Sequence, residues 1–172
     1  NLKSILVNAG YTATITCDPL FGNNGTGGTQ TIAVKESVTL NDGVWIVSGD
    51  AASGNGVTFS LLGQGATAAF TVAPAATLHS NARGFAASGG AGGGGANEAG
   101  THAGRGGGNG DSGYGSATVP VTLGSGGEEG KGGGAIKVTV GAQGTITVNG
   151  TISANGETTG DSGAGGSIYL LC

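Results

Sequence analysis

The sequence predicts an all-β chain folded as a right-handed parallel β-solenoid, with an antiparallel β-sandwich as the alternative. Three observations carry that prediction. Short runs of alternating apolar and polar residues, rich in Val, Ile and Thr, recur along the chain, and a period of two marks a half-buried strand. The phrase AAFTVAPAATLHSNARGFAASGG (Ala68 to Gly90) returns as AIKVTVGAQGTITVNGTISANG (Ala135 to Gly156), which aligns Thr71-Val72 with Thr139-Val140, Thr77-Leu78 with Thr145-Ile146 and Asn81 with Asn149. Each copy is followed by a glycine-rich excursion and a return through a glycine-led strand, GGGAIKVTV and then GAGGSIYLLC. Self-similar units with loops inserted at one equivalent point favour stacked coils over a sandwich.

Composition narrows the class further. The 172 residues suffice for one domain with a core, and 41 of them are Gly while only 9% are charged. Glycine costs about 1 kcal/mol per residue in a helix interior, so helices are excluded as the main element. A net charge of −4 and recurring β-branched runs distinguish the chain from a charged disordered one. Six Lys and Arg against ten Asp and Glu leave no electrostatic footprint for nucleic acid. No apolar stretch reaches membrane-spanning length and no signal peptide stands at the start. The lack of any Met points to a processed chain or a piece of a longer one.

Taken in order, KSILV (Lys3 to Val7) and YTATIT (Tyr11 to Thr16) are strands joined by Asn8-Ala9-Gly10, and Asp18-Pro19 stops the second. FGNNGTGGT (Phe21 to Thr29) is a first glycine loop. TIAV, SVTL, VWIV, VTFSLL and AAFTV then follow between Thr31 and Val72, separated by turn residues such as Asn41-Asp42-Gly43. Trp45, Phe59, Phe70 and Phe85 are expected as core fillers near coil corners. Residues 1–172 read as a single domain with glycine-rich insertions at about 22–29, 88–115, 124–134 and 156–166. An ordered glycine block must gain closely packed backbone hydrogen bonds, for instance between polyproline-like segments. The alternative is a mobile surface loop.

Chemistry-bearing motifs are sparse. GDSG occurs at Gly110 to Gly113 and Gly160 to Gly163, but a nucleophilic serine needs a base within reach, and His79 and His102 are the only histidines, neither in a matching motif. GGNGD (Gly107 to Asp111) lacks the spacing and iteration of a calcium-binding repeat, and EGKGGG (Glu129 to Gly134) lacks the residues of a P-loop. Asp42, Asp50 and Arg83 could serve a polysaccharide lyase, yet nothing in their spacing singles them out. No catalytic, cofactor or metal residue is therefore expected, and the chain reads as a non-enzyme. His102 and Arg105, in THAGRGGG, are assigned structural roles as donors to the carbonyls of neighbouring glycine segments. Asn24-Gly25-Thr26 and Asn149-Gly150-Thr151 are glycosylation sequons, the second also a β-turn. Cys17 and Cys172 leave one internal pair, which would close a loop of about 155 residues and constrain the unfolded chain by several kcal/mol. Two unpaired thiols, or a bond to a neighbouring chain, are the other readings.

The succession THAGRGGG, SGYGS, Val119-Pro120-Val121, LGSGG, GGGAIKV, VNGTISANG and GAGGSIYL resembles the glycine-rich extracellular repeat proteins of plants, algae and other protists. In those proteins a GGGHGGRGG-type segment precedes YGS, P, LGSGG, GGG-I and NGSIxADG elements. The match spans roughly Ser88 to Leu171, with His102 and Arg105 in the first segment and Gly166-Ser167-Ile168-Tyr169-Leu170 as the closing strand. It implies a secreted or cell-surface protein with β-helical repeats and a structural part.

The expected function is thus a non-enzymatic extracellular structural module that assembles with copies of itself, head to tail, into a fibre, surface appendage, wall or matrix. SILV (Ser4 to Val7) and SIYLL (Ser167 to Leu171) are alike, so the last coil could stack on the first of a neighbour. The alternative is a glycan-binding adhesin, with Tyr11 and Tyr114 as candidate platforms, or an ice-binding solenoid using Thr12, Thr14, Thr16, Thr145 and Thr147. No nucleic-acid partner, membrane insertion or cofactor is expected.

Overall fold

A computed structural model describes residues 2–8, 12–16, 30–61, 68–108 and 112–172. Among them there is no helix, and the strands are β1 (Leu2–Val7), β2 (Thr12–Thr16), β3 (Gln30–Ser48), β4 (Val57–Leu61), β5 (Ala69–His79), β6 (Ala135–Val140), β7 (Thr145–Val148), β8 (Thr151–Ser153) and β9 (Ser167–Leu171).

These strands form three parallel ladders. The first runs from residues 30–34 of β3 through β4 and β6 to β9, with Ile32, Phe59, Val138 and Leu170 in register. In the second, β1, residues 37–40 of β3, residues 69–72 of β5 and β7 align Ile5, Val38, Phe70 and Ile146. The third aligns β2, the end of β3, the end of β5 and β8, so that Ala13, Trp45, Leu78 and Ile152 are in register. All three turn one face to a common apolar core that holds Val34, Leu40, Trp45, Phe59, Phe70, Leu78 and Val138, and the sheet they make is nearly closed.

Period-two alternation explains the packing. Along β6 the residues Ile136, Val138 and Val140 are buried while Lys137 and Thr139 are half-exposed, as a strand with one covered face requires. In-register stacking then places apolar over apolar on every level. The Trp45 and Phe59 rings meet edge to face at 5.2 Å, and Phe59 meets Phe70 at 5.7 Å, within the range of favourable aromatic pairs.

The parallel ladders exclude an antiparallel sandwich for the described strands. Antiparallel pairing is confined there to the bridges Asp50 to Asn55 and Asn55 to Thr122. Several details also differ from expectation. TIAV, SVTL and VWIV are one strand, β3, in which Asn41-Asp42-Gly43 is a bend with Gly43 at φ 81°. The bend is held by Asn41, whose amide donates to the Asn8 side chain on the adjoining level (3.2 Å). Trp45, Phe59 and Phe70 fill the core as expected, while Phe85 lies outside it, with its ring beside Gly54 and Gly90.

The internal repeat is real as a pattern but displaced as an alignment. Thr71-Val72 pairs with Thr147-Val148, Thr77-Leu78 with Thr151-Ile152, and Thr139-Val140 with Ser60-Leu61. Alternating Thr and Val satisfy any even shift of a strand, so identities alone do not choose among registers. Burial of Phe70 and Val72 over Ile146 and Val148 does.

Along the chain the strands visit the second, third and first ladders in unbroken rotation. Among the described residues the long excursions fall at one corner, the passage from the third ladder to the first: residues 49–56, 80–134 and 154–166. The equivalent passage at 17–29 lies outside the described residues. The glycine blocks at 88–115 and 124–134 thus belong to a single insertion between β5 and β6.

Phe59, fully buried between Trp45 and Phe70, is the residue whose loss should cost most. Phe59→Ala is expected to destabilise the chain by about 3–5 kcal/mol, read as a lowered midpoint in urea with little change in slope.

Candidate functional site

The insertion 80–134 and the passage 154–166 pack together as a bundle in which backbone meets backbone. Residues 124–127 run through its centre. Phe85 N–H donates to Gly124 C=O (3.1 Å), Gly94 N–H to Gly126 C=O (2.9 Å) and Ala164 N–H to Ser125 C=O (2.9 Å), while Gly124 N–H donates to Gly133 C=O (2.8 Å) and Gly126 N–H to Gly89 C=O (2.9 Å). Four separate segments thereby satisfy the polar groups of one. Such close approach requires glycine: a Cβ on Gly132 would lie 1.8 Å from the Gly124 oxygen, and one on Gly126 would lie 2.0 Å from the Ala86 oxygen. The hydrogen bonds offset the large backbone entropy that ordered glycine forfeits. Of the two expectations for this block, packed segments describe it.

The bundle is bonded to the coil beneath it. Ser80 N–H donates to Ser153 C=O (2.8 Å), and Ser80 Oγ reaches the Val47 carbonyl on the previous level (2.8 Å). Ser167 Oγ donates to the Thr122 carbonyl (2.7 Å).

A buried polar knot closes its side. His102, only 8% exposed, places Nε2 2.7 Å from Thr122 Oγ1, and its ring also bonds the carbonyl of Gly165. A neutral imidazole donates through one nitrogen and accepts through the other, so both contacts are met without a charge. Beside it, edge to face at 5.0 Å, is Tyr114. Tyr114 O–H donates to the Leu123 carbonyl and accepts from Ser125 Oγ (2.9 Å), which accepts from Gly92 N–H (3.0 Å). Burial holds the His102 pKa below 6.5, opposed by the Gly165 bond, and raises that of Tyr114, opposed by Ser125. His79 is also lowered, by burial and then by the Arg83 charge.

The second feature is an open edge of the parallel sheet. Among the described strands β9 pairs with β6 alone, and β7 and β8 each with β5 alone. Ile168 and Leu170 follow Ile136 and Val138 in the same core-directed ranks, yet they are 37% and 39% exposed where their counterparts are 1% and 0%. Val148 stands in the same relation to buried Val72. Exposed apolar side chains therefore lie along strands whose second edge has no partner among the described strands.

Of the residues singled out from sequence, His102 sits in the knot, and Arg105 is exposed on the rim of a shallow depression shared with His102, Gly104 and Gly165. Asn149 is exposed in the turn after β7, where its N–H donates to the Val72 carbonyl (2.8 Å). Cys172 is exposed; Cys17 and Asn24 lie outside the described residues, as does Tyr11. Tyr114 is no exposed sugar platform, because its ring is half-buried and its hydroxyl engaged. Asp42 and Asp50 are turn-capping carboxylates, the first bonded to Gly43 N–H (2.6 Å), the second to Ala52 N–H (3.0 Å). Sequence reasoning missed Thr122, Ser125 and Ser167, since a lone hydroxyl residue in or beside a glycine-rich segment looks the same whether it turns inward or outward.

Gly132→Ala should open the bundle while leaving the ladders intact: amide exchange across 84–134 is expected to accelerate by an order of magnitude or more, with strand amides protected as before. For pH, the folded-state values of His79 and His102 lie below the unfolded value of 6.5. Between the two, the unfolded chain binds more protons, so stability is fully present above about pH 6.5 and falls on acidification. Thermal melts at about pH 7.5 and about pH 5 should show that loss, and His102→Gln should reduce the difference.

No protein family matches this chain, and no curated protein or solved structure shows significant similarity to it.

Proposed function

We propose that the chain is a parallel β-solenoid serving as a non-enzymatic, extracellular structural module that joins copies of itself head to tail. The observation that carries this reading is the exposure of Val148, Ile168 and Leu170, which continue core ranks at strand edges without a partner among the described strands; phase gives the register. The last strand, β9, lies in the first ladder, and the first strand, β1, lies in the second, which is the next in the rotation. A second copy placed on the open edge therefore continues the coil without a gap: its β1 extends the ladder ending in β7, its β2 the ladder ending in β8, and its residues 30–34 the ladder ending in β9. The resulting register sets Ile5 of the added copy beside Ile146, Val7 beside Val148, and Ile32 beside Leu170.

That register replaces the simpler idea that SILV stacks on SIYLL, since the two segments belong to different ladders. Burying Val148, Ile168 and Leu170 contributes about 1.5–3 kcal/mol for each side chain fully covered, and the added ladder hydrogen bonds supply direction and register. The resemblance to glycine-rich surface proteins of plants, algae and protists agrees with such a role. On this reading the glycine bundles stack along one side of a fibre whose axis is the ladder direction.

Electron microscopy of the concentrated protein should show filaments, and Leu170→Lys should abolish them by placing a charge in the joint. Register is tested by Leu6→Cys with Thr147→Cys in a chain whose native cysteines are replaced by Ser. Adjacent positions on parallel strands suit a disulfide, so a ladder of covalent oligomers is expected on a non-reducing gel. A wild-type chain that stays monomeric at millimolar concentration, with no cross-linking of the pair, would refute the assignment.

A further inference from the structure

The insertion does more than pack upon itself. Its arm at residues 119–122 overhangs the outer side of the first ladder and encloses a cleft of about 210 Å³, bounded by Gly54 to Thr58, Val119, Val121, Thr122, Ala135 and Lys137. Three features of this cleft point to a ligand. Val119 and Val121, 46% and 38% exposed, give the cleft an apolar wall. Lys137 stands opposite on β6, next to buried Thr58 on one side and Tyr169 on the other. Its ammonium lies 5.7 Å from the centre of the Tyr169 ring, and among the described residues no carboxylate comes within ion-pair distance of it.

We propose that this cleft binds one carboxylated sugar unit of an acidic polysaccharide. The volume is below the roughly 300–1,000 Å³ of sites for drug-sized ligands, which suits a single small ring. A sugar ring has an apolar C–H face for the valine wall and hydroxyls for Thr58 and the backbone of Gly54 and Gly56. The carboxylate pairs with Lys137, whose position is fixed by the Tyr169 face. A single Lys, without an Arg fork or a helix N-terminus, fits a monoanion better than a phosphate. The chain as a whole carries a net charge of −4, so long-range attraction does not hold a polyanion and the contact in the cleft must do so.

The test is calorimetric titration of the full chain with a short oligogalacturonate and, separately, with the neutral galactose oligomer of equal length. Binding of the acidic oligomer alone is expected, weakened about tenfold or more by Lys137→Met, as for loss of one charge-assisted contact, and retained by Lys137→Arg. Circular dichroism and melting temperature establish that both variants keep the fold. Equal binding of the neutral oligomer, unchanged affinity in Lys137→Met, or no heat from either sugar at millimolar concentration would each overturn the proposal. Neither outcome depends on head-to-tail joining, because Leu170→Lys leaves the cleft intact and is titrated in parallel.

Discussion

Parallel in-register pairing is the constraint on which the rest of this structure depends. A strand in the middle of such a ladder must find one partner a full turn earlier and another a full turn later, because none of its backbone groups can be met by a neighbour across a hairpin. Phe59 shows the consequence: its strand is flanked by residues 30–34 and by β6, and its ring is flanked by Trp45 and Phe70 from the other two ladders. Strand pairing and core packing are thus the same event. All of the pairing is non-local, so folding of such a chain bears a high loop-closure entropy.

The same constraint decides where additions can go. Residues 80–134 interrupt the coil between β5 and β6, yet β6 still pairs with β4 in unbroken register. That is achieved because the insertion leaves and returns at one corner, with Gly134 N–H bonded to the Ser80 carbonyl (2.7 Å) where the two ends meet. The insertion then supplies its own cohesion. Glycine removes the side chains that would hold segments apart, and the polar knot around His102 and Tyr114 satisfies the few groups that the backbone leaves over.

Two kinds of surface follow from this construction. The open edge is apolar and directional, since its exposed residues continue the ranks of the core. The outer flank, where residues 119–122 lean over β4 and β6, is mixed: valines on one side, Thr58 and Lys137 on the other. The two surfaces are chemically distinct and lie on different sides of the ladders, so each can be altered without disturbing the other.

Much of this was legible in the sequence. Alternation of Val, Ile and Thr determined that the chain is all-β, because a period of two buries one face of a strand whatever its partner. Glycine density determined that helices are not the main element and that the excursions are either loose or packed backbone to backbone. Register was decided by the tertiary structure alone: Thr71 aligns as well with Thr139 as with Thr147 in sequence, and only the burial of Phe70 over Ile146 separates them. The same holds for the site residues. His102 was visible as a rare polar group in a glycine block, whereas Thr122, Ser125 and Lys137 became meaningful only once distant segments were brought within hydrogen-bonding distance of them or walled in the cleft beside them. Short-range pattern reports which face of a strand is covered; what covers it depends on contacts between residues far apart in the chain, and no local signal encodes those.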